Sequence, residues 1–102
     1  MVKILTLREY LRIPYILEVS AHQLSNGDWI RRARYPELPG CEAEAYIIYD
    51  AIEKLEESRV NCILRLWECS EAIPVPREPL KSTEPSFLLR KMGLNRWIEL
   101  LD

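Results

Sequence analysis

The apolar residues of this chain change their spacing once, and that change dictates the order of its elements. From Tyr15 to Tyr35 they alternate; from about Ile47 to Cys69 they recur every three to four residues. Alternation marks a half-buried strand, and the longer repeat an amphipathic helix. In Tyr15-Ile-Leu-Glu-Val-Ser-Ala-His22, Tyr15, Leu17, Val19 and Ala21 fall on one face and Glu18, Ser20 and His22 on the other. In Trp29-Ile-Arg-Arg-Ala-Arg-Tyr35, Trp29, Arg31, Ala33 and Tyr35 share a face opposed by Ile30, Arg32 and Arg34. Asn26-Gly27 lies between the two runs and signals a hairpin, because both residues tolerate positive φ. Trp29, Ala33 and Tyr35 are the expected core side, with the stem of Arg31 running past them.

Pro36-Glu-Leu-Pro-Gly-Cys41 is a rigid corner, its prolines fixing φ and Gly40 free to take φ > 0. Glu42-Ala-Glu-Ala45 is a short third strand. The helix that follows is predicted to run roughly 20 residues, against an average of about 11–12. Ile48, Ile52, Leu55, Cys62, Leu66 and Cys69 make one apolar stripe, with Glu53, Lys54, Glu56 and Glu57 turned outward. Val60, Ile63, Leu64 and Trp67 make a second stripe, so this half of the helix needs more than one covering surface. These four residues are the expected interface between copies in a homo-oligomer. Ile73-Pro-Val-Pro76 reads as a short fourth strand, at an edge because proline cannot donate to a ladder.

At the N-terminus Thr6 caps a short helical turn through Glu9 and Leu11, with Arg8 and Arg12 on its far face, before Pro14 stops it. Residues 77–85 form a polar linker carrying prolines. Beyond it Ser86 is read as a helix cap, Gly93 as a C-terminal stop, and Asn95 as the restart of a last turn with Trp97, Ile98, Leu100 and Leu101. The expected organisation is a domain over residues 1–79 and a helical tail over residues 80–102. Its class is α+β: a three-stranded antiparallel meander, a long helix, a short fourth strand and the tail.

Composition narrows the function. The chain has 102 residues, 14 Lys and Arg against 16 Asp and Glu, and a net charge of −2. Nucleic-acid binders are usually strongly basic, so DNA binding by this chain alone is not expected. No apolar run approaches the ~20 residues of a membrane span, and the first ten residues lack the apolar core of a secretory leader. A cytoplasmic location is therefore expected. Cys41, Cys62 and Cys69 show no Cys-x-x-Cys pair and read as reduced, buried thiols. The single histidine, His22, has no neighbouring nucleophile in sequence, and one histidine with scattered cysteines does not supply the three or four ligands of a zinc site. Only three glycines are present, too few for a phosphate-cradling loop. No catalysis, cofactor or metal is expected.

Several segments resemble the HicB-like antitoxins of bacterial toxin–antitoxin systems, over about residues 9–79. They are a Glu-x-x-Leu turn before Pro14-Tyr15, the hairpin Asn26-Gly-Asp-Trp29, the corner Tyr35-Pro-Glu-Leu-Pro-Gly-Cys41, the acidic helix from Asp50-Ala51, Leu66-Trp-Glu68, and Ile73-Pro-Val-Pro76. Ala45 and Ile47 stand where similar proteins have glycine and a capping threonine. The resemblance implies a β-β-β-α-β domain, like a double-stranded-RNA-binding domain or a partial RNase H fold. It also implies a homo-oligomer that binds and inhibits a small HicA-type mRNA interferase. Such a toxin is basic, so charge complementarity makes Glu42, Glu44, Glu53, Glu56 and Glu57 the expected contacts. Arg31 is a further contact candidate on the arginine-bearing strand. The alternative is an oligomeric structural or regulatory domain of the same fold with no toxin partner.

Overall fold

The computed structural model describes residues 5–102; the start of the segment expected to lack a leader core lies outside them. The order is α1 (Leu7–Tyr10), β1 (Glu18–Gln23), β2 (Trp29–Arg34), β3 (Glu42–Ala45), α2 (Ile48–Glu68), α3 (Pro85–Lys91) and a 3₁₀ turn (Asn95–Leu100). The class is α+β, an antiparallel sheet of order β1-β2-β3 followed by a long helix. The chain divides into two compact units, residues 15–59 and residues 5–14 with 60–102.

In the unit of residues 15–59, β1 pairs with β2 from Glu18↔Arg34 to Gln23↔Trp29, and β2 with β3 from Arg31↔Ala45 to Arg34↔Glu42. The hairpin closes differently from the expected turn with two left-handed residues. Only Gly27 has positive φ (92°); Leu24 accepts from Gly27 N and donates to Asp28 O at 2.7 Å, a turn ending in a glycine bulge. Asn26 instead uses its side chain, Oδ1 accepting from Asp28 N at 3.0 Å. The Pro36–Gly40 corner is two successive turns, with Leu38 N donating to Tyr35 O and Cys41 N to Leu38 O, and Gly40 at φ 74°. Leu38 and Cys41 are buried there. The Tyr35 hydroxyl donates to Glu56, and Cys41 Sγ lies 3.8 Å from Ser58 Oγ. These contacts place α2 against the sheet face that carries Ala33, which is fully buried with Ala51 and Leu55. Trp29 shares that face by register but is 52% exposed, so the expected core at that end of β2 is open to solvent.

In the other unit, Thr6 and Glu9 form a reciprocal capping box around α1. Arg8 and Arg12 do not face open solvent, as the sequence suggested, but hold the C-terminal segment. Arg8 pairs with Glu84 and with Asp102 (3.1 Å), Arg12 Nε donates to Thr83 O at 2.6 Å, and Arg8 N donates to Leu101 O at 2.8 Å. The cap of α3 is Glu84, one residue before Pro85, and not Ser86; its carboxylate accepts from Ser86 N at 3.1 Å. Gly93 ends α3 at φ 73°, with Leu94 N donating to Leu89 O. Leu89, Trp97 and Leu101 are buried, while Phe87 points outward.

Three expectations need correction here. Ile73–Pro76 is not a fourth strand: the sheet of the described residues has three, and Pro74 and Pro76 have no N–H to donate. Val60, Ile63 and Leu64 are buried by the single chain, and Trp67 is half-buried with its ring edge-on to Tyr10 at 5.8 Å. The surface expected to be covered by a second copy is thus already covered. Of the cysteines only Cys41 is buried; Cys62 is half-buried and Cys69 exposed.

Candidate interaction surface

The arginine-rich strand is where a nucleic-acid surface would be sought. Across the outer face of the sheet, Glu18, Arg34 and Glu42 stand in one row and Ser20, Arg32 and Glu44 in the next. Arg34 Nε lies 3.2 Å from Glu18, and Arg32 donates to Glu44 at 2.9 and 2.6 Å. Opposite charges directly across a ladder stabilise the pair, and here they use up the positive face. The Glu44 carboxylate further raises the Arg32 pKa through their hydrogen bond. This row is a balanced outer face, with no free cationic stripe.

The expected contact residues are not brought together. Glu42 and Glu44 lie on that outer face beside arginines, while Arg31 lies half-buried on the opposite one. Glu56 is a structural acceptor, taking the Tyr35 hydroxyl and two bonds from Arg59 at 3.3 and 3.0 Å. Burial, and then the bond to Glu56 and its charge, push the Tyr35 pKa well up, so its phenol stays protonated and donates. Glu53 is exposed on α2, and Glu57, one turn on, is half-buried.

What the periodicity missed is next to them. Tyr46, Ile47 and Tyr49 are all exposed at the start of α2, Tyr49 to 79%. Tyr49, Glu53 and Glu57 follow at intervals of four and so climb one face of the helix. The visible signal was the pair Tyr46 and Tyr49 at spacing three, outside the stripe of Ile48, Ile52 and Leu55. An aromatic end followed by carboxylates is a surface suited to a basic partner, because aromatic side chains anchor interfaces and the acids steer and select.

In the unit of residues 5–14 and 60–102 an open cleft of ≈ 360 Å³ is lined by Trp67, Glu68, Arg96, Trp97 and Leu100, with the Arg96 guanidinium 5.0 Å above the Trp97 ring. The cleft carries no hydroxyl or thiol nucleophile. Among the described residues no three His, Cys, Asp or Glu side chains group to hold a metal ion, and no helix is long and apolar enough to cross a membrane. His22 sits on the outer face opposite Ile30, its Nε2 buried and without a hydrogen-bond partner among the described residues. No family model, curated protein or solved structure matches this chain.

Proposed function

We propose that this chain is a HicB-like antitoxin module, a cytoplasmic binding protein that inhibits a small HicA-type ribonuclease by covering its RNA-binding surface. The observation that carries the reading is that Tyr46, just before α2, and Tyr49, in its first turn, stand exposed ahead of Asp50, Glu53 and Glu57. A ribonuclease that grips RNA must present cations, and an acidic surface with aromatic anchors is its complement. The corner Tyr35–Cys41, which carries most of the family resemblance, supports it independently. Under this reading the meander and the first half of α2 correspond to a domain like those that bind double-stranded RNA, or to a partial RNase H fold. The chain itself performs no chemistry.

The test is whether a gene for a small HicA-type ribonuclease adjoins this one, and whether RNA cleavage by its product is stopped by titration with the purified protein. Cleavage should stop near one equivalent. Tyr49→Ala and Glu53→Lys, both at exposed positions, should each weaken inhibition by about tenfold or more, as hot-spot truncations do, with folding unchanged. Undiminished cleavage under excess protein would overturn the reading and leave the oligomeric structural or regulatory domain.

A further inference from the structure

We propose that the cleft at the end of α2 is a binding site for a small zwitterion, an aromatic α-amino acid held with its ammonium group at Glu68 and its carboxylate at Arg96. This goes beyond the antitoxin reading and does not depend on it. The lining residues all belong to the unit of residues 5–14 and 60–102. Trp67 and Glu68 are the last residues of α2, and Arg96, Trp97 and Leu100 come from the 3₁₀ turn. Residues three apart eclipse one another in a 3₁₀ turn, so Trp97 and Leu100 fall on one side of it. With Trp67 they give the cleft its apolar lining.

Charge selects the ligand class. Glu68 and Arg96 are both exposed and both line the cleft, yet neither makes an ion pair among the described residues. Arg96 is engaged by the Trp97 ring instead, its guanidinium 5.0 Å from the centroid. Stacking holds the group and leaves its fork of N–H donors for an anion. Glu68 stands at the C-terminal end of a 21-residue helix, where the backbone dipole disfavours an acid and favours a cation. A ligand ammonium supplies the positive charge that this end lacks.

The cleft thus offers one charge of each sign. A simple anion would meet Glu68, and an organic cation would meet Arg96. A nucleotide would bring more negative charge than one guanidinium answers. A zwitterion with a flat apolar body suits the two indoles, Leu100 and both charges together. Size agrees with this. Small-molecule pockets span about 300–1,000 Å³, and ≈ 360 Å³ lies at the small end, the class of a single amino acid.

Calorimetric titration of the full-length protein tests the site with L-phenylalanine, with phenethylamine, which lacks the carboxylate, and with hydrocinnamate, which lacks the ammonium group. L-Phenylalanine should bind with Kd below about 10 mM, and each analogue about tenfold more weakly or worse, since each drops a charge-assisted hydrogen bond. Arg96→Gln should weaken L-phenylalanine by about tenfold and leave phenethylamine no weaker; Glu68→Gln should do the same to L-phenylalanine and leave hydrocinnamate no weaker. Both residues are exposed, so thermal unfolding should not move. No binding of L-phenylalanine at about 10 mM, analogues that bind as well as it does, or variants that weaken all three ligands alike would each overturn the proposal. Tighter binding of guanosine monophosphate or of choline would do so too.

Discussion

The two compact units bury their apolar residues to different extents. In residues 5–14 and 60–102, Leu7, Tyr10, Val60, Ile63, Leu89 and Leu101 are all fully buried or within 2% of it. In residues 15–59, Leu17, Val19, Trp29, Tyr46, Ile47 and Tyr49 are all exposed, and Ala33, Leu38, Ala51 and Leu55 make up most of a small core. α2 shows the contrast within one helix: its residues up to Arg59 belong to the second unit and those from Val60 to the first. Apolar surface left out of a core is the usual mark of an interaction site. Residues 15–59 thus expose more of their large apolar side chains, although Phe87 (72%) and Leu100 (53%) stand exposed in the other unit.

The contrast is most easily broken at Ile63. Ile63→Ala should destabilise the protein by about 2–5 kcal/mol, the cost of a buried cavity, whereas Tyr49→Ala, at a position 79% exposed, should cost less than about 0.5 kcal/mol, as exposed substitutions do. Urea unfolding of both variants checks this, and equal losses would refute the division. Tyr35→Phe tests whether the small core of residues 15–59 leans on polar contacts. Removing the hydroxyl that Glu56 accepts should cost about 1–2 kcal/mol, read in the same experiment, with Glu56 still held by Arg59.

A smaller effect of opposite sign is expected at Ser70, which ends α2 at φ 55° with Glu71 N donating to Leu66 O. Glycine adopts this left-handed position without a Cβ penalty, so Ser70→Gly should stabilise by about 0.5–1 kcal/mol and raise the melting temperature. The smallest concerns pH. The Ser86 N–H and the Arg8 charge hold the Glu84 carboxyl below its ordinary 4.5. A depressed acid adds stability above its unfolded pKa, and that contribution is lost as pH falls through the folded value. The protection of the Ser86 amide against exchange, corrected for the intrinsic pH dependence, should fall as pH drops through the folded value, and Glu84→Gln should remove that dependence.

Strand order, hairpin position, the long helix and the capping of α1 were legible, because each rests on local signals: alternation, Asn26-Gly27, the three-to-four spacing and Thr6 with Glu9. The cap of α3 slipped because Glu84 before Pro85 competes with Ser86, and local pattern does not rank them. The candidate surface was legible only in part. Glu53 and Glu57 were singled out by their outward phase on the helix. Glu56 has the same phase, yet its role is set by Tyr35, 21 residues away in sequence. Trp29 looked like core because alternation says which residues share a face and not whether anything covers it.

Period and punctuation in the sequence therefore determined the elements, their order and the face each side chain shares with its neighbours, since these depend on backbone geometry over a few residues. Only the tertiary structure decided which apolar faces are covered. It closed the chain's own C-terminal segment onto α1, buried Val60, Ile63 and Leu64 without a second copy, and left β1 and the start of α2 bare. Coverage is settled by contacts between residues far apart in the chain, and no local spacing records them.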